Sequence, residues 1–487
     1  MTSPFDLYEV VIGIECHVQL LTNTKLFSSA KNHYGDAPNT NVDILDIALP
    51  GTLPVLNEKA VDYALRLGFA LGCQISHTSV FARKHYFYPD LPKGYQISQY
   101  DKPICGEGRL EIRVDDQIKT IGIERIHIEE DAGKNVHVEG GNVSFVDYNR
   151  AGTPLLEIVT KPDMRSAAEA METFKTIRAL VTFLEICDGN MQEGSLRADL
   201  NVSVRKKGSA VLGTRTETKN LNSVKFLGQA AEFEMRRQIL EIEAGNTIAQ
   251  ETRLWDSNRK ESRSLRSKEE AHDYRYLPDP DLLPLTLSDE RLTRIKNGLP
   301  ELPREKENRF RASLGLSPYD AAVLTSDREV ANYFESALQT HNNAKGIANW
   351  IINDILRIVK VQNGEDASIS DCSISANHVA QLVKLIDDKV ISSKTAKSVF
   401  EEMLDDSNKD PLQIVEEKGW RVEKDEAVLT NAIAQVIAQF PNEVQKCKTG
   451  KTQLFGFLMG QVMKMTAGKV DAKEATALLQ KTLDELP

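Results

Sequence analysis

The chain has 487 residues, 41% hydrophobic and 27% charged, which supplies apolar material for about three packed domains and excludes wholesale disorder. Its formal net charge of −11 excludes a surface that coats nucleic acid throughout, while leaving room for a local basic patch on an acidic body. The scattered cysteines (Cys16, Cys73, Cys105, Cys187, Cys372, Cys447) form no CxxC pair, and no apolar run nears the roughly 18 residues of a membrane span. Free thiols and the absence of a basic–apolar–small leader before Tyr8 predict a reducing, cytosolic setting with no membrane role.

The first predicted element is a strand over Tyr8–Leu20. Val10, Ile12, Ile14, Cys16, Val18 and Leu20 alternate onto one face, and Glu15, His17 and Gln19 onto the other. Such a face is either half-solvated or a row of functional groups. A second polar run ends in Glu129-Glu130-Asp131, with Gly133 offering a turn. Three adjacent carboxylates repel unless donors or cations offset them, so the triplet is a solvated turn or a site for a hard divalent ion. The alternation returns at Arg197–Arg205, where Arg197, Asp199, Asn201, Ser203 and Arg205 oppose Ala198, Leu200, Val202 and Val204. It returns again in Arg215, Glu217 and Lys219. Several mixed acid–cation faces in one region suit an anionic, metal-bridged substrate such as a nucleoside triphosphate.

Arg83–Gln99 interleaves Tyr86, Phe87, Tyr88 and Tyr95 with Pro89, Pro92 and Gly94, reading as a rigid aromatic loop; Lys84 beside it is a candidate for substrate contact. Arg253–Lys268 gathers Arg253, Arg259, Lys260, Arg263, Arg266 and Lys268 among serines, as either a solvated segment or a phosphate contact. Prolines at 278, 280, 284, 300 and 303 punctuate the chain, a spacing that helices do not run through. Beyond them, steps of three and four residues predict helices over Ala331–Leu338 and Ile347–Val361. After a break at Asp405–Pro411 come Ala427–Phe440, Leu454–Ala467 and Ala472–Leu486. The expectation is an α+β chain: an antiparallel-sheet domain over 1–290, a helical region over 291–408 and a small helical tail over 409–487.

Negative findings narrow the chemistry. Gly450-Lys451-Thr452 lacks the first glycine of a phosphate loop, since Gln445 holds that place, and Cys105-Gly106-Glu107-Gly108 lacks the third glycine of a dinucleotide fingerprint. There is no HExxH and no GxSxG. If ATP is used, an open antiparallel sheet must hold it.

Long blocks then carry a resemblance. GIECHVQL at 13–20, RKHYFYPDLPKGYQISQ at 83–99, HIEEDAGK at 127–134, DYNRAGTPLLEIVT at 147–160 and DGNMQEGSLRADLNVSVR at 188–205 are followed by RTETKNLNS at 215–223, ETRLWD at 251–256, RSKEEAHDYRYLPDPDLLPL at 266–285 and GKTQLFGFLMGQVMK at 450–464. Together they resemble the B-subunit family of the glutamyl/aspartyl-tRNA amidotransferases. The resemblance implies an ATP- and Mg²⁺-dependent phosphorylation of the side-chain carboxylate of Glu-tRNA(Gln) or Asp-tRNA(Asn). Displacement of phosphate by ammonia follows. The ammonia comes from glutamine, hydrolysed by a partner amidase A subunit, and a small C subunit completes a heterotrimer. The family's N-terminal domain is similar to glutamine synthetase and guanidino kinases. Carried over residue by residue, the resemblance implies metal and catalytic roles for Glu15, His17, Glu129, Glu130 and Glu217, with Asp199 a further metal candidate. Arg197, Arg215 and Lys219 are either phosphate-binding or salt-bridged. Family tails grip the tRNA body, and Lys446, Lys448, Lys451, Lys464 and Lys469 fit that role or serve helix solubility. The cysteines of a zinc-bearing branch are replaced by Ser28, Ala30, Asp43 and Asp46, so no structural zinc is expected. The alternative to the enzyme is a non-catalytic tRNA-binding scaffold.

Overall fold

The computed structural model describes residues 3–115, 117–137, 143–267, 274–364, 367–422, 426–448, 453–466, 470 and 472–486. The chain forms two compact units, Met1–Pro303 and Arg304–Pro487. It is mixed α+β, with its large sheet in the first unit.

The strands used below are β1 (Tyr8–Gln19), β2 (Phe81–His85), β3 (Tyr95–Gln99), β4 (Gly108–Val114), β5 (Gln117–Glu130), β6 (Pro154–Thr160), β7 (Leu196–Lys206), β8 (Thr216–Lys219), β9 (Glu251–Asp256) and β10 (Glu261–Ser267). Eight of them form one sheet in the order β10-β9-β8-β7-β1-β6-β5-β4. Every neighbouring pair is antiparallel except β8 and β9. The remaining two, β2 and β3, pair antiparallel with each other.

Alternation decides what each face does. On β1, Val10, Ile12, Ile14, Cys16 and Val18 are buried in the same core as Ala198, Leu200, Val202 and Val204 of β7. Three helices cover that apolar face: α1 (Glu58–Ala70), α2 (Ala167–Phe183) and α3 (Val224–Glu243). Each begins at a side chain that satisfies an otherwise unpaired amide: Asn57 accepts from Lys59 N, Ser166 from Glu169 N and Ser223 from Phe226 N. Phe174, Ile177 and Val181 of α2 and Leu227, Ala230 and Ile239 of α3 insert into the core; burying each large apolar side chain stabilises by about 1.5–3 kcal/mol.

One buried charge joins α3 to the sheet edge. Glu234 is fully buried and accepts from Arg237 Nη2 at 2.8 Å and Thr216 Oγ1 at 3.1 Å, and also from Ser262 Oγ. Arg253 Nε lies 2.9 Å away. Arg253 is itself buried and also bonded to Glu251, so this arginine of the basic run braces the edge.

The helical unit has two separate apolar cores. One runs from Phe310 to Val415, the other from Leu429 to Leu483. The predicted helices are present as Arg328–Thr340, Glu426–Gln439, Gln453–Met465 and Ala472–Glu485. The predicted Ile347–Val361 helix is interrupted by a π-helical turn at Ile351–Ile355, between Ala344–Trp350 and Leu356–Asn363. The proline-punctuated stretch also holds a helix, Asp289–Asn297. It fits in the proline-free interval between Pro284 and Pro300, capped by Ser288, with Asp289 and Glu290 in its first turn and Arg294 and Lys296 in its last.

Candidate active site

The polar face of the sheet reads as cross-strand rows. His127 of β5 faces Glu157 of β6, which faces His17 of β1, which faces Arg197 of β7. One step along, Glu15 faces Asp199; one further, Asn201 faces Glu217, which faces Thr252. Neighbouring rows are two residues apart, so their side chains rise on the same face. A cavity of about 310 Å³ opens over them, with Glu15, His17, His127, Glu157, Asp199 and Glu217 in its lining.

Two groups converge to metal-binding distance. In each of His17/Glu129/Glu157 and Glu15/Asp199/Glu217, one ligand atom per residue lies within 4.8 Å of the others. In the first, His17 Nε2 is 3.6 Å and His127 Nε2 is 3.3 Å from Glu157 Oε2, while His127 Nε2 is 3.5 Å from Glu129 Oε2. Ser98 Oγ donates to Glu129 at 3.2 Å. In the second, Asn201 Nδ2 donates to Glu15 at 3.0 Å and Thr252 Oγ1 to Glu217 at 2.8 Å. Lys219 Nζ bridges Asp199 and Glu217, 3.0 Å from the latter. Asn201, Thr252 and Ser98 fix the orientation of the carboxylates, as outer-sphere groups do at metal sites.

The electrostatics separate the two groups. Burial alone would push the His127 imidazolium out, but the Glu157 charge and the hydrogen bonds that His127 donates to Glu129 and Glu157 outweigh it and hold His127 up at about 9. His17 moves the same way: burial opposes its charge, and its bond to Glu157 more than compensates. Burial works against the ionised Glu157, yet His127 and then His17 hold its carboxyl well below the usual range. In the first group, two histidines whose protonated forms are favoured stand beside two carboxylates, and a cation bound there displaces the proton from His17 to reach its ring nitrogen. The second group differs. Glu15 is raised, first by burial and then by the charges of Glu157, Glu217 and Asp199, with Lys219 opposing. A carboxylate pushed up by its neighbours' charge is one that a bound cation relieves. Mostly oxygen donors with one imidazole fit a hard divalent ion such as Mg²⁺ or Mn²⁺.

The sequence-predicted residues divide accordingly. Glu15, His17, Glu129, Glu217 and Asp199 meet in the two groups, and Arg215 and Lys219 line the same cavity. Glu130 is not brought to them. It follows Glu129 on one strand, so it faces the other way; Lys93 Nζ and the Ile97 amide at 2.9 Å bind its carboxylate, which fixes β3 against β5. Arg197 is engaged elsewhere too, its Nη2 2.7 Å from Asp131 Oδ2, an oxygen that also accepts from Gln19 Nε2 at 2.9 Å. Asp46 and Ser28, two of the positions that bear on zinc, bond to each other at 3.0 Å, and Asp46 forms a fully buried ion pair with Lys25 at 2.9 Å.

Sequence reasoning passed over Glu157, His127 and Asn201 as functional candidates. The signal for Glu157 is a lone carboxylate inside the apolar run Leu155–Val159, where an unpaired charge is too costly to bury. Lys84 also lines the cavity; burial opposes its charge, but Glu129 leads the groups that hold it protonated, and its ammonium sits 4.9 Å from the Tyr274 ring. Of the tail lysines, Lys451 and Lys469 lie outside the described residues, as does Lys268.

Residues 10–293 match the family model described as the GatB/GatE catalytic domain, and residues 332–483 match the model described as the GatB domain. Over the whole chain there are curated relatives, each named as the B subunit of an aspartyl/glutamyl-tRNA(Asn/Gln) amidotransferase. The protein of Geotalea daltonii is 50% identical over 479 residues, covering 98% of this chain and 99% of the relative. That of Trichlorobacter lovleyi is 51% identical over 476 residues, with 98% and 99% covered, and that of Caldicellulosiruptor bescii 48% over 479, with 98% and 100% covered.

Proposed function

Since this chain belongs to the family of aspartyl/glutamyl-tRNA(Asn/Gln) amidotransferase B subunits, we propose that its two carboxylate groups are the centre at which the esterified Asp or Glu is activated. The chain is the B subunit of a tRNA-dependent, glutamine-dependent amidotransferase, a ligase that forms carbon–nitrogen bonds with A and C subunits as partners. The observation that carries the site assignment is the convergence of His17/Glu129/Glu157 and Glu15/Asp199/Glu217 on one face of the sheet, under one cavity.

The substrate's side-chain carboxylate is a poor electrophile, because no good leaving group departs from it. Its oxygen attacks the γ-phosphorus of ATP, the bond to the bridging oxygen breaks, and ADP leaves. Ammonia then adds to the carbonyl carbon of the acyl phosphate, loses a proton, and expels inorganic phosphate, leaving the amide. Glu15, Asp199 and Glu217 on one side, and His17, Glu129 and Glu157 on the other, are the residues that would hold Mg²⁺. When bound there, a divalent cation neutralises phosphate charge and brings triphosphate and acceptor carboxylate together.

The chain's own groups do the rest. Lys219 and Arg215 present positive charge to the triphosphate from the β8 side, and Lys84 does so from the β2 side. His127 stays protonated and locks Glu157 and Glu129 in place. Asn201 and Thr252 hold Glu15 and Glu217 in one orientation, so little reorganisation is needed when charge develops. Glu130 acts at one remove, anchoring Lys93 and Ile97 in the segment that follows the strand bearing Lys84; Arg197 positions Asp131. The cradle (1–290) is read as similar to glutamine synthetase and guanidino kinases, the 291–408 region as a linker, and the 409–487 tail as the part that grips the tRNA body.

The competing reading is a scaffold that binds tRNA while another chain performs the phosphorylation. Both hypotheses meet in one experiment: the assembled A, B and C subunits with Glu-tRNA(Gln), Mg²⁺ and γ-labelled ATP, ammonia withheld. Label transferred to the aminoacyl-tRNA in the wild type, and lost with Glu15→Gln while tRNA still binds, supports the catalytic reading. Label transfer unaffected by Glu15→Gln supports the scaffold.

A further inference from the structure

Five tyrosines form a connected series, three of which (Tyr100, Tyr274 and Tyr276) line the cavity. Tyr88 packs edge-on against Tyr86 (centroids 6.0 Å apart, planes at 63°), Tyr86 against Tyr274 (6.1 Å, 74°), and Tyr274 against Tyr276 (6.3 Å, 69°). The last step differs in kind. Tyr276 and Tyr100 lie face to face, with centroids 4.2 Å apart and planes inclined by 6°. Tyr100 nevertheless stays 55% exposed, and among the described residues no ring but Tyr276 stacks on it. It follows directly on Gln99, whose buried amide is committed on both sides. Gln99 Nε2 donates to Ser79 Oγ at 2.5 Å, and its Oε1 accepts from Ile104 N at 3.1 Å and Ile128 N at 3.0 Å.

Packing alone does not account for this arrangement. An aromatic ring placed for the core would bury both faces; Tyr100 has one face on a braced partner, lines the cavity and stays largely exposed. Tyr276 in turn is buttressed by Tyr274, against which Lys84 and Tyr86 pack. The platform is therefore preorganised, and a planar ligand would not have to order it. The cavity that Tyr100, Tyr274 and Tyr276 line is also lined by Lys84, Arg125, Arg215 and Lys219, and by carboxylates of both groups. A flat π-surface and a set of cations and carboxylates lining one cavity match a ligand that joins a heterocyclic base to phosphate.

We propose that Tyr100, backed by Tyr276, is a stacking platform for the adenine of an adenosine nucleotide. This rests on the phosphoryl-transfer reading only for the identity of the ligand. Two sources supply an adenine here: ATP itself, and the 3′-terminal adenosine that carries the esterified amino acid on tRNA. Stacking of a base on an aromatic side chain contributes enough that its removal weakens binding by about tenfold.

The test uses the assembled A, B and C subunits and reads binding, so it does not depend on acyl-phosphate formation. Equilibrium dialysis gives Kd for ADP with Mg²⁺, and filter binding gives Kd for uncharged tRNA with and without its terminal adenosine. Tyr100→Leu is expected to weaken one adenosine source by about tenfold, and Tyr100→Phe, which keeps the ring, to restore it to within about threefold of wild type. A change confined to ADP assigns the platform to ATP. A change confined to intact tRNA, and absent from tRNA lacking its last nucleotide, assigns it to the acceptor end. If Tyr100→Leu binds ADP and intact tRNA within about twofold of wild type, or weakens intact and truncated tRNA equally with ADP unaffected, the platform is refuted. The phosphoryl-transfer reading fails separately, if the wild-type complex transfers no label from ATP.

Discussion

Replacing Glu157 by Gln keeps the side chain's shape and removes its charge, which isolates the electrostatics of the first ligand group. Glu157 Oε2 lies 3.3 Å from His127 Nε2 and 3.6 Å from His17 Nε2. At an effective dielectric of about 20, unit charges at such separations attract by about 5 kcal/mol, an upper bound that burial of both partners offsets. The residue of that contest is visible in His127, held at about 9 against 6.5 for a free imidazole, a gap that corresponds to about 3 kcal/mol in favour of the imidazolium. In Glu157→Gln the main support for that charge goes, His127 reverts to the neutral form at pH 7, and Glu129 loses its charged donor. The group loses a ligand and the partner that orients another. Mn²⁺ affinity is expected to fall by at least about 100-fold, equivalent to about 3 kcal/mol. Titration calorimetry on the assembled complex measures it, with the thermal midpoint as a check on folding. Mn²⁺ affinity within about threefold of wild type, in a folded variant, would show that Glu157 is not a ligand.

Other residues of the site, the sheet edge and the tail give further expected outcomes. Lys219→Met removes the ammonium that bridges Asp199 and Glu217. Mn²⁺ is then expected to bind the second group more tightly while label transfer from ATP drops by about 100-fold or more, and unchanged transfer would remove Lys219 from the mechanism. Glu130→Gln releases Lys93 and loosens the segment that follows the strand bearing Lys84, so amidation should fall while Mn²⁺ affinity stays within about threefold; a parallel loss of both would make Glu130 a ligand after all. Glu234→Ala takes from the buried Arg253 one of its two carboxylate partners, leaving Glu251, and removes the acceptor of Thr216 and Arg237; it is expected to cost about 1–3 kcal/mol in denaturant unfolding, with an unchanged unfolding midpoint contradicting the account. Glu234 also predicts a pH dependence. Burial opposes its charge, but Arg237 and then Ser262 and Arg253 hold its carboxyl below 4.5. Its contribution is thus present above about 4.5 and lost as pH falls through the lower folded value, so Glu234→Ala and wild type should converge in stability under acid. Neutralising Lys448 and Lys451 should weaken tRNA binding by about 1–2 kcal/mol and flatten its salt dependence by about two phosphate contacts; an unchanged salt slope counts against a tRNA-binding tail.

The face of β1 was legible because alternation is a local property: Glu15 and His17 had to rise together once Ile14, Cys16 and Val18 were assigned to the core. The same rule separates Glu129 from Glu130, since adjacent residues on a strand face opposite ways, and it sends Glu130 to Lys93 and Ile97. Family resemblance outweighed it there. Glu157 was harder to see because its strand is buried on both sides of it and shows no alternation at all; only the cost of an unpaired charge marks it. Register is not readable from one strand, so the rows that bring His127, Glu157 and His17 side by side appear only when β5, β6 and β1 are paired. The Tyr100–Tyr276 stack joins residues far apart in sequence, and no periodicity links them. In the helical unit, three- and four-residue steps located helices such as Arg328–Thr340 and Ala472–Glu485 but passed over Ala376–Asp387 and Ser393–Asp405. The π-helical turn at Ile351–Ile355 lies within an apolar pattern that a continuous helix would satisfy equally.

The most direct measurement is an anomalous difference map at the manganese edge, from crystals of the complex grown with Mn²⁺ and a non-hydrolysable ATP analogue. The account predicts manganese at His17/Glu129/Glu157 and at Glu15/Asp199/Glu217, with the triphosphate between Lys84 and Lys219. Manganese and nucleotide bound elsewhere, with these six side chains unliganded, would contradict it.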